Sequence, residues 1–161
     1  MNRIPKIGAV ALAILVTTTL LNCKKESEED TIRRLVSTIQ TAAEEKDTSK
    51  VMGYIADSYS DPQGTTHETL KRLLRGYFLI HPKISVYISY LQVSVKGASA
   101  TANLQALLTS GQNKGSLTDV IPHSLGVYQF DVSLAKESDN WKIVSATWTP
   151  VELNGESNGG E

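Results

Sequence analysis

The sequence predicts an α+β fold in which a curved four-stranded antiparallel sheet wraps around three N-terminal helices. Helical periodicity dominates before Pro82, and alternation of apolar and polar residues dominates after Ile84. The last two predicted strands are separated by the turn-forming run 137–140, so they read as a long hairpin. A sheet with one apolar face needs a second layer, and only helices are available upstream to provide it.

Three helices are predicted from the spacing of apolar residues and from capping residues. The first runs from about residue 28 to 45, because its apolar positions recur at helical intervals. These positions are Ile32, Leu35, Val36, Ile39 and Ala43. Asp47 is a suitable N-cap for a short second helix. Thr65 and Glu68 have the spacing of a capping box that opens a third helix, which ends before Pro82.

The first predicted strand changes parity half-way along. Its two apolar sets are Ile84, Val86 and Ile88, followed by Leu91, Val93 and Val95. One extra residue would place both sets on the same face, so the sequence predicts a β-bulge near Ser89–Tyr90. A tight turn at Lys96–Gly97 then leads into a second strand.

The third predicted strand has one clear apolar face. Its inward residues are Tyr128, Phe130, Val132 and Leu134. Asp131 has the opposite parity and is expected to point outward. On the last strand, Trp141 and Ile143 are expected in the seam between sheet and helices. The segment 110–126 is predicted to be a long loop.

The N-terminus predicts a secreted protein. Arg3 and Lys6 precede the uncharged run Ile7–Leu21, as in a signal peptide. A helix of that length would span about 22 Å, which is too short for a bilayer core of about 30 Å. The predicted organisation is a leader (1–22), a polar tether (23–29), one folded domain (30–150) and a disordered tail (151–161).

The lone cysteine, Cys23, directly follows the apolar run. Leu20–Cys23 resembles the lipobox of bacterial lipoproteins, which implies lipidation of Cys23 and attachment to the lipid bilayer of the cell envelope. Asn22 departs from the small residue usual before the cysteine, and an unmodified cysteine is the alternative. Lys24 resembles the residue found in the outer-membrane class, so we expect that location.

Charge and motif content exclude several classes of function. The chain has 16 Lys and Arg against 17 Asp and Glu, so no basic field exists to attract nucleic acid. The three histidines, His67, His81 and His123, are isolated, and no second thiol is present, so no metal site is predicted. No phosphate-binding glycine loop and no Gly-x-Ser-x-Gly motif occurs, and we expect no cofactor.

The predicted element order resembles the nuclear transport factor 2-like superfamily, the cone shared by SnoaL-like proteins and ketosteroid isomerases. The resemblance spans about residues 28–150 and rests on Asp57–Asp61 with Gly64, and on Trp141–Trp148. It implies a curved sheet around the helices and an internal pocket. Members include isomerases, dehydratases, cyclases and proteins without catalysis, so the fold alone does not choose among them.

Candidate site residues follow from the resemblance. Catalytic members place a carboxylate beside a tyrosine, or a histidine with an aspartate, inside the cone. The candidates here are Asp57, Tyr59, Asp61 and His67. Capping of turn amides by the two aspartates is the alternative. The expected pocket residues are Tyr59, Tyr77, Phe78, Tyr90, Tyr128, Phe130 and Trp141.

The sequence therefore favours a lipoprotein whose domain binds an apolar small molecule or a protein without catalysis. A pocket enzyme of the isomerase, dehydratase or cyclase type is the alternative. A buried aspartate or histidine that reaches Tyr59 or Tyr90 and opens to a cavity would favour the enzyme. A third hypothesis is a homodimer through the outer sheet face, formed by Gln129, Ser133, Val144, Ala146 and Trp148.

Overall fold

The computed structural model describes residues 26–109 and 124–151. The expected leader, the lipidation site Cys23 and the tail after Val151 lie outside the described residues. The described elements are α1 (Glu28–Glu44), α2 (Thr48–Met52), α3 (His67–Ile80), β1 (Ser85–Lys96), β2 (Ser99–Thr109), β3 (Ser124–Glu137) and β4 (Asn140–Val151). The predicted fold class is confirmed. Helix α1 begins at residue 28, as its periodicity predicts, so residues 28–29 are helical rather than part of the expected tether, and Val151, expected in the tail, ends β4.

Side chains cap the first two helices and fix where they begin. The Ser27 hydroxyl accepts a hydrogen bond from the backbone N–H of Asp30, and the Asp47 carboxylate accepts one from Lys50. Helix α1 buries Ile32 and Leu35 against the sheet. Its acidic first turn also suits the positive end of the helix dipole.

Helix α3 begins one residue later than the sequence predicted. Its N-cap is Thr66, whose hydroxyl accepts a hydrogen bond from the Thr69 backbone N–H at 3.4 Å. Thr65, the expected cap, instead donates its own backbone N–H to the Asp61 carboxylate at 2.8 Å. The predicted Thr65–Glu68 capping box is therefore wrong, because Thr65 belongs to the preceding turn.

The four strands form one antiparallel sheet in the order β1-β2-β3-β4. The register between β1 and β2 shifts between Ile88 and Tyr90, so the predicted bulge is confirmed, with Ser89 as the extra residue. As a result, Val86 before the bulge and Val93 after it are both buried on the concave face.

A second bulge bends the last hairpin. Ser133 pairs with Ser145 and Leu134 pairs with Ile143, which leaves Val144 as the extra residue. This shift reverses the parity of β4 beyond Ile143. Ala146 and Trp148 consequently face the concave side, and their expected place on an outer dimer face is wrong.

Candidate ligand cavity

The concave sheet and the helices enclose a cavity of about 520 Å³. Aliphatic and aromatic side chains form most of its wall. From the helices and their connections these are Leu35, Val36, Ile39, Ala43, Val51, Ile55, Tyr59, Leu70, Leu73, Leu74, Tyr77, Phe78 and Ile84, with the polar Gln40. From the sheet they are Val86, Ile88, Ala102, Leu104, Ala106, Leu108, Tyr128, Phe130, Val132, Leu134, Ile143, Ala146 and Trp148.

Small residues on β2 leave the room for this cavity. Ala102 and Ala106 lie on its wall and are 0% and 2% exposed. Because methyl side chains reach only a short way from the sheet, the helices cannot fill the space above them. Their alternation with polar residues along β2 is the sequence signal that marks both alanines as inward-facing.

Five of the seven residues expected in the pocket lie on the cavity wall. They are Tyr59, Tyr77, Phe78, Tyr128 and Phe130. The wall also includes Leu73 and Trp148, which are 53% and 40% exposed, so these two mark the rim where the cavity meets solvent.

Tyr90 lies on the other side of the sheet. It follows the bulged Ser89, so it points outward, is 49% exposed and donates a hydrogen bond from its hydroxyl to Gln92 at 2.7 Å. Its expected role in the pocket is therefore wrong. The parity change in β1 predicts a bulge near Ser89–Tyr90 but does not decide which of these two residues is the extra one.

Trp141 is buried but does not line the cavity. It lies near the β3–β4 turn, where the start of α1 covers the sheet. Its indole Nε1–H donates to the Glu28 carboxylate at 2.7 Å, and Lys136 donates to the other oxygen of that carboxylate, also at 2.7 Å. Trp141 therefore fastens α1 to the sheet, and its expected place in the pocket is wrong.

Tyrosines supply most of the polar groups on the cavity wall. Burial raises the pKa of the Tyr77 hydroxyl, and the nearby Tyr128 raises it further. The His81 ring lies 4.4 Å from the Tyr77 ring, centroid to centroid, at the end of α3. The Gln40 side chain donates its amide to the Val86 carbonyl at 2.8 Å, so one of its polar ends is already satisfied.

Tyr59 and Asp61 form a buried pair at the edge of β4. The Tyr59 hydroxyl lies 3.5 Å from an Asp61 carboxylate oxygen. Burial raises the pKa of Tyr59 to about 12, and the Asp61 charge adds to the rise. Tyr59 lines the cavity, whereas Asp61 does not. The pair thus meets only part of the arrangement expected of an enzyme, because the carboxylate does not open to the cavity.

The Asp61 carboxylate caps the turn before α3. One of its oxygens accepts backbone N–H groups from Gln63 at 2.9 Å and Thr65 at 2.8 Å. Burial acts to raise the pKa of Asp61, but hydrogen bonds from Thr65 and Gln63 outweigh it and lower the pKa below its ordinary value. A carboxylate held in its charged form by backbone amides is a weak proton acceptor.

No protein-family model matches the chain, and no curated protein sequence matches it. Solved structures do match. A Bdellovibrio bacteriovorus protein, Bd1075, aligns with a TM-score of 0.64 and 16% identity over 80% of this chain, which spans 44% of its length. An NTF2-like protein of unknown function from Pseudomonas putida aligns with a TM-score of 0.63 and 14% identity, over 76% of this chain and 87% of that protein. The chain has the nuclear transport factor 2-like (NTF2-like) fold.

A third match to this NTF2-like cone is a candidate dehydratase of the NTF2-like family from Streptomyces avermitilis. It aligns with a TM-score of 0.61 and 16% identity, over 76% of this chain and 95% of that protein. Sequence identities of 14–16% show that the fold is shared, but they do not show a shared activity. The activity has to be argued from the side chains of the cavity.

The two remaining catalytic candidates, Asp57 and His67, lie outside the cavity. The Asp57 side chain is fully exposed, and its carboxylate lies 3.9 Å from the His67 Nε2. Neither residue lines the cavity. Across residues 26–109 and 124–151, no three His, Cys, Asp or Glu side chains are placed to hold a metal ion, and no helix is long and apolar enough to cross a membrane.

Proposed function

We propose that this protein is a lipid-anchored lipoprotein of the bacterial outer membrane whose domain holds a neutral, apolar small molecule without transforming it. One observation carries the binding function. The cavity wall contains no Asp, Glu, His, Lys or Arg among the described residues. A charged ligand would lose its hydration there without gaining a counter-ion, whereas an apolar ligand gains by leaving water.

The size of the cavity supports a small-molecule ligand. A volume of about 520 Å³ falls within the range of about 300–1,000 Å³ usual for ligand pockets. The tyrosine hydroxyls of the wall can orient a ligand that carries one hydroxyl or carbonyl group. Three tyrosines take part in the wall, namely Tyr59, Tyr77 and Tyr128.

Binding can be tested with a neutral fluorophore such as N-phenyl-1-naphthylamine, whose emission rises in an apolar site. Substitution of Ala106 by leucine extends a side chain into the cavity, and we expect probe affinity to fall about tenfold or more, because a ligand and the new side chain compete for the same space. Gln105→Leu is the matched control, since Gln105 adjoins Ala106 on β2 with the opposite parity. Equal affinities for the two variants would contradict binding in this cavity.

The anchor can be tested separately. Cys23→Ser should release the protein from membranes, because no described helix is able to cross a bilayer. A variant that remained in the membrane fraction in high salt would show that the attachment lies elsewhere in the chain.

An enzyme of the dehydratase or isomerase type is the second candidate, and the Tyr59–Asp61 pair favours it. The pair is buried, and the tyrosine faces the cavity. Turnover of a bound carbonyl compound that is lost in Asp61→Asn with the fold intact would establish this alternative.

A further inference from the structure

Helix α3 exposes three large aliphatic side chains, one at the rim of the cavity and two at its C-terminal end. Leu79 is 85% exposed, Ile80 is 70% exposed and Leu73 is 53% exposed. Single exposed apolar residues are ordinary, but three on one short helix form a patch of the kind that marks an interaction site.

The segment that carries this patch is rich in cations. Residues 67–83 contain four Lys and Arg, namely Lys71, Arg72, Arg75 and Lys83, against one carboxylate, Glu68. Among the described residues, none of these four cations forms a salt bridge. The excess of positive charge is local, because the whole chain has a net charge of −1. A helix face that combines aliphatic side chains with Lys and Arg is typical of helices that lie on lipid surfaces.

The patch continues into the rim of the cavity. Leu73 and Ile80 are seven positions apart, so they share one face of α3 at a separation of about 10 Å. Leu73 also lines the cavity, as does the exposed Trp148. An apolar surface therefore runs from the cavity wall over its rim and onto the outer face of the helix.

We infer that this face of α3 docks onto an anionic lipid surface, with Leu79 and Ile80 among the acyl chains and the cations at the lipid phosphates. The docked rim opens the cavity toward the bilayer, so an apolar ligand passes between membrane and cavity without crossing water. This inference rests on the proposed function for the ligand and the anchor. Residues 23–27 span at most about 18 Å when extended, so an anchor at Cys23 would keep the domain at the membrane surface.

Charge favours lipid over a second copy of the chain as the occupant. A two-fold interface brings the same patch of both copies together, so the cations of one copy, among them Arg72 and Arg75, would share the interface with those of the other. Like charges placed close together repel, whereas anionic headgroups attract each such cation.

The test uses the chain from Cys23 to Glu161, which retains every described element, coupled through its single thiol to a maleimide lipid in vesicles. The vesicles contain phosphatidylglycerol and acyl-brominated phosphatidylcholine, which quenches nearby tryptophan. The chain has two tryptophans, so Trp141→Phe reports on Trp148 at the rim and Trp148→Phe reports on the buried Trp141. Circular dichroism checks that each variant is folded.

We expect Trp148 to be quenched about threefold more strongly than Trp141. The double substitution Leu79→Ser and Ile80→Ser should remove the difference, whereas Tyr90→Ser on the convex face should preserve it. Equal quenching of both tryptophans, or a difference that survives the double substitution, would overturn the docking face. Chemical crosslinking of two copies through α3 would also overturn it. Probe binding in solution is measured without vesicles, so failure of the docking face is distinguishable from failure of the proposed binding function.

Discussion

Replacement of Trp141 by phenylalanine tests how α1 is held against the sheet. The variant keeps an aromatic ring in the same place but loses the indole N–H that donates to Glu28. A hydrogen bond to a charged group contributes about 1.5–3 kcal/mol. The Glu28 side chain is 38% exposed, so solvent screening favours the lower part of that range. The smaller ring buries less apolar area and adds about 1 kcal/mol to the loss.

The expected loss in the free energy of unfolding is therefore about 2–3 kcal/mol, measured by urea titration at neutral pH. Trp148→Phe is the matched control, because Trp148 is 40% exposed and its indole makes no hydrogen bond in the described part of the chain. We expect that variant to lose less than about 1 kcal/mol. A double-mutant cycle with Glu28→Gln should give a coupling energy near 1 kcal/mol. If the two tryptophan variants lose equal stability, or if the cycle shows no coupling, Trp141 does not fasten α1.

Two further predictions concern Asp61 and the first bulge. Because hydrogen bonds lower the pKa of Asp61 below its ordinary value of 3.8, the stability it contributes is present above that pH and is lost as the pH falls through the lower folded-state value. Urea titrations from neutral to acid pH should show a steeper loss for the wild type than for Asp61→Asn, and parallel losses would contradict the assignment. Deletion of Ser89 should leave both apolar sets of β1 facing the core, because Ile88 and Tyr90 already pair with the adjacent residues Ala106 and Gln105, so we expect a folded variant that has lost the bend and some stability. Ser89→Ala keeps the bulge and should fold with unchanged stability, and a deletion variant that loses its near-ultraviolet circular dichroism signal would contradict this account of the parity.

The two β-bulges differ in how clearly the apolar pattern of the sequence predicts them. In β1 the parity change was clear, because three apolar residues stand on each side of it. In β4 the same signal was present, since Ile143 and Trp148 differ in parity, but it was weaker. Adjacent apolar residues at 143 and 144 and small residues at 145 and 146 fit either face. If β4 had no bulge at Val144, strand parity would place Trp148 on the outer face of the sheet, which is where the dimer hypothesis expects it. The bulge places Trp148 at the cavity rim instead.

The candidate site was predictable where it depended on strand alternation. Tyr128 and Phe130 lie where their parity placed them. Turn chemistry predicts the alternative role of Asp61 as a cap of turn amides, and the structure confirms it for this residue. The role of Trp141 depends on a contact with the distant Glu28, which periodicity does not encode. The cavity itself arises from the small side chains of Ala102 and Ala106 on β2. Alternation with polar residues marks these alanines as inward-facing, but alternation does not show that the helices leave the space above them empty.

A comparison of matched neutral and anionic ligands tests the central claim most directly. The affinities of a long-chain alcohol and of a fatty acid of the same chain length would be measured by titration calorimetry above the pKa of the acid. An apolar wall without a counter-charge predicts that the alcohol binds at least about tenfold more tightly than the carboxylate. It also predicts that Ala106→Leu weakens binding of the alcohol while Gln105→Leu does not. Equal or tighter binding of the carboxylate, or no binding of either ligand, would contradict the claim that the cavity holds a neutral, apolar molecule.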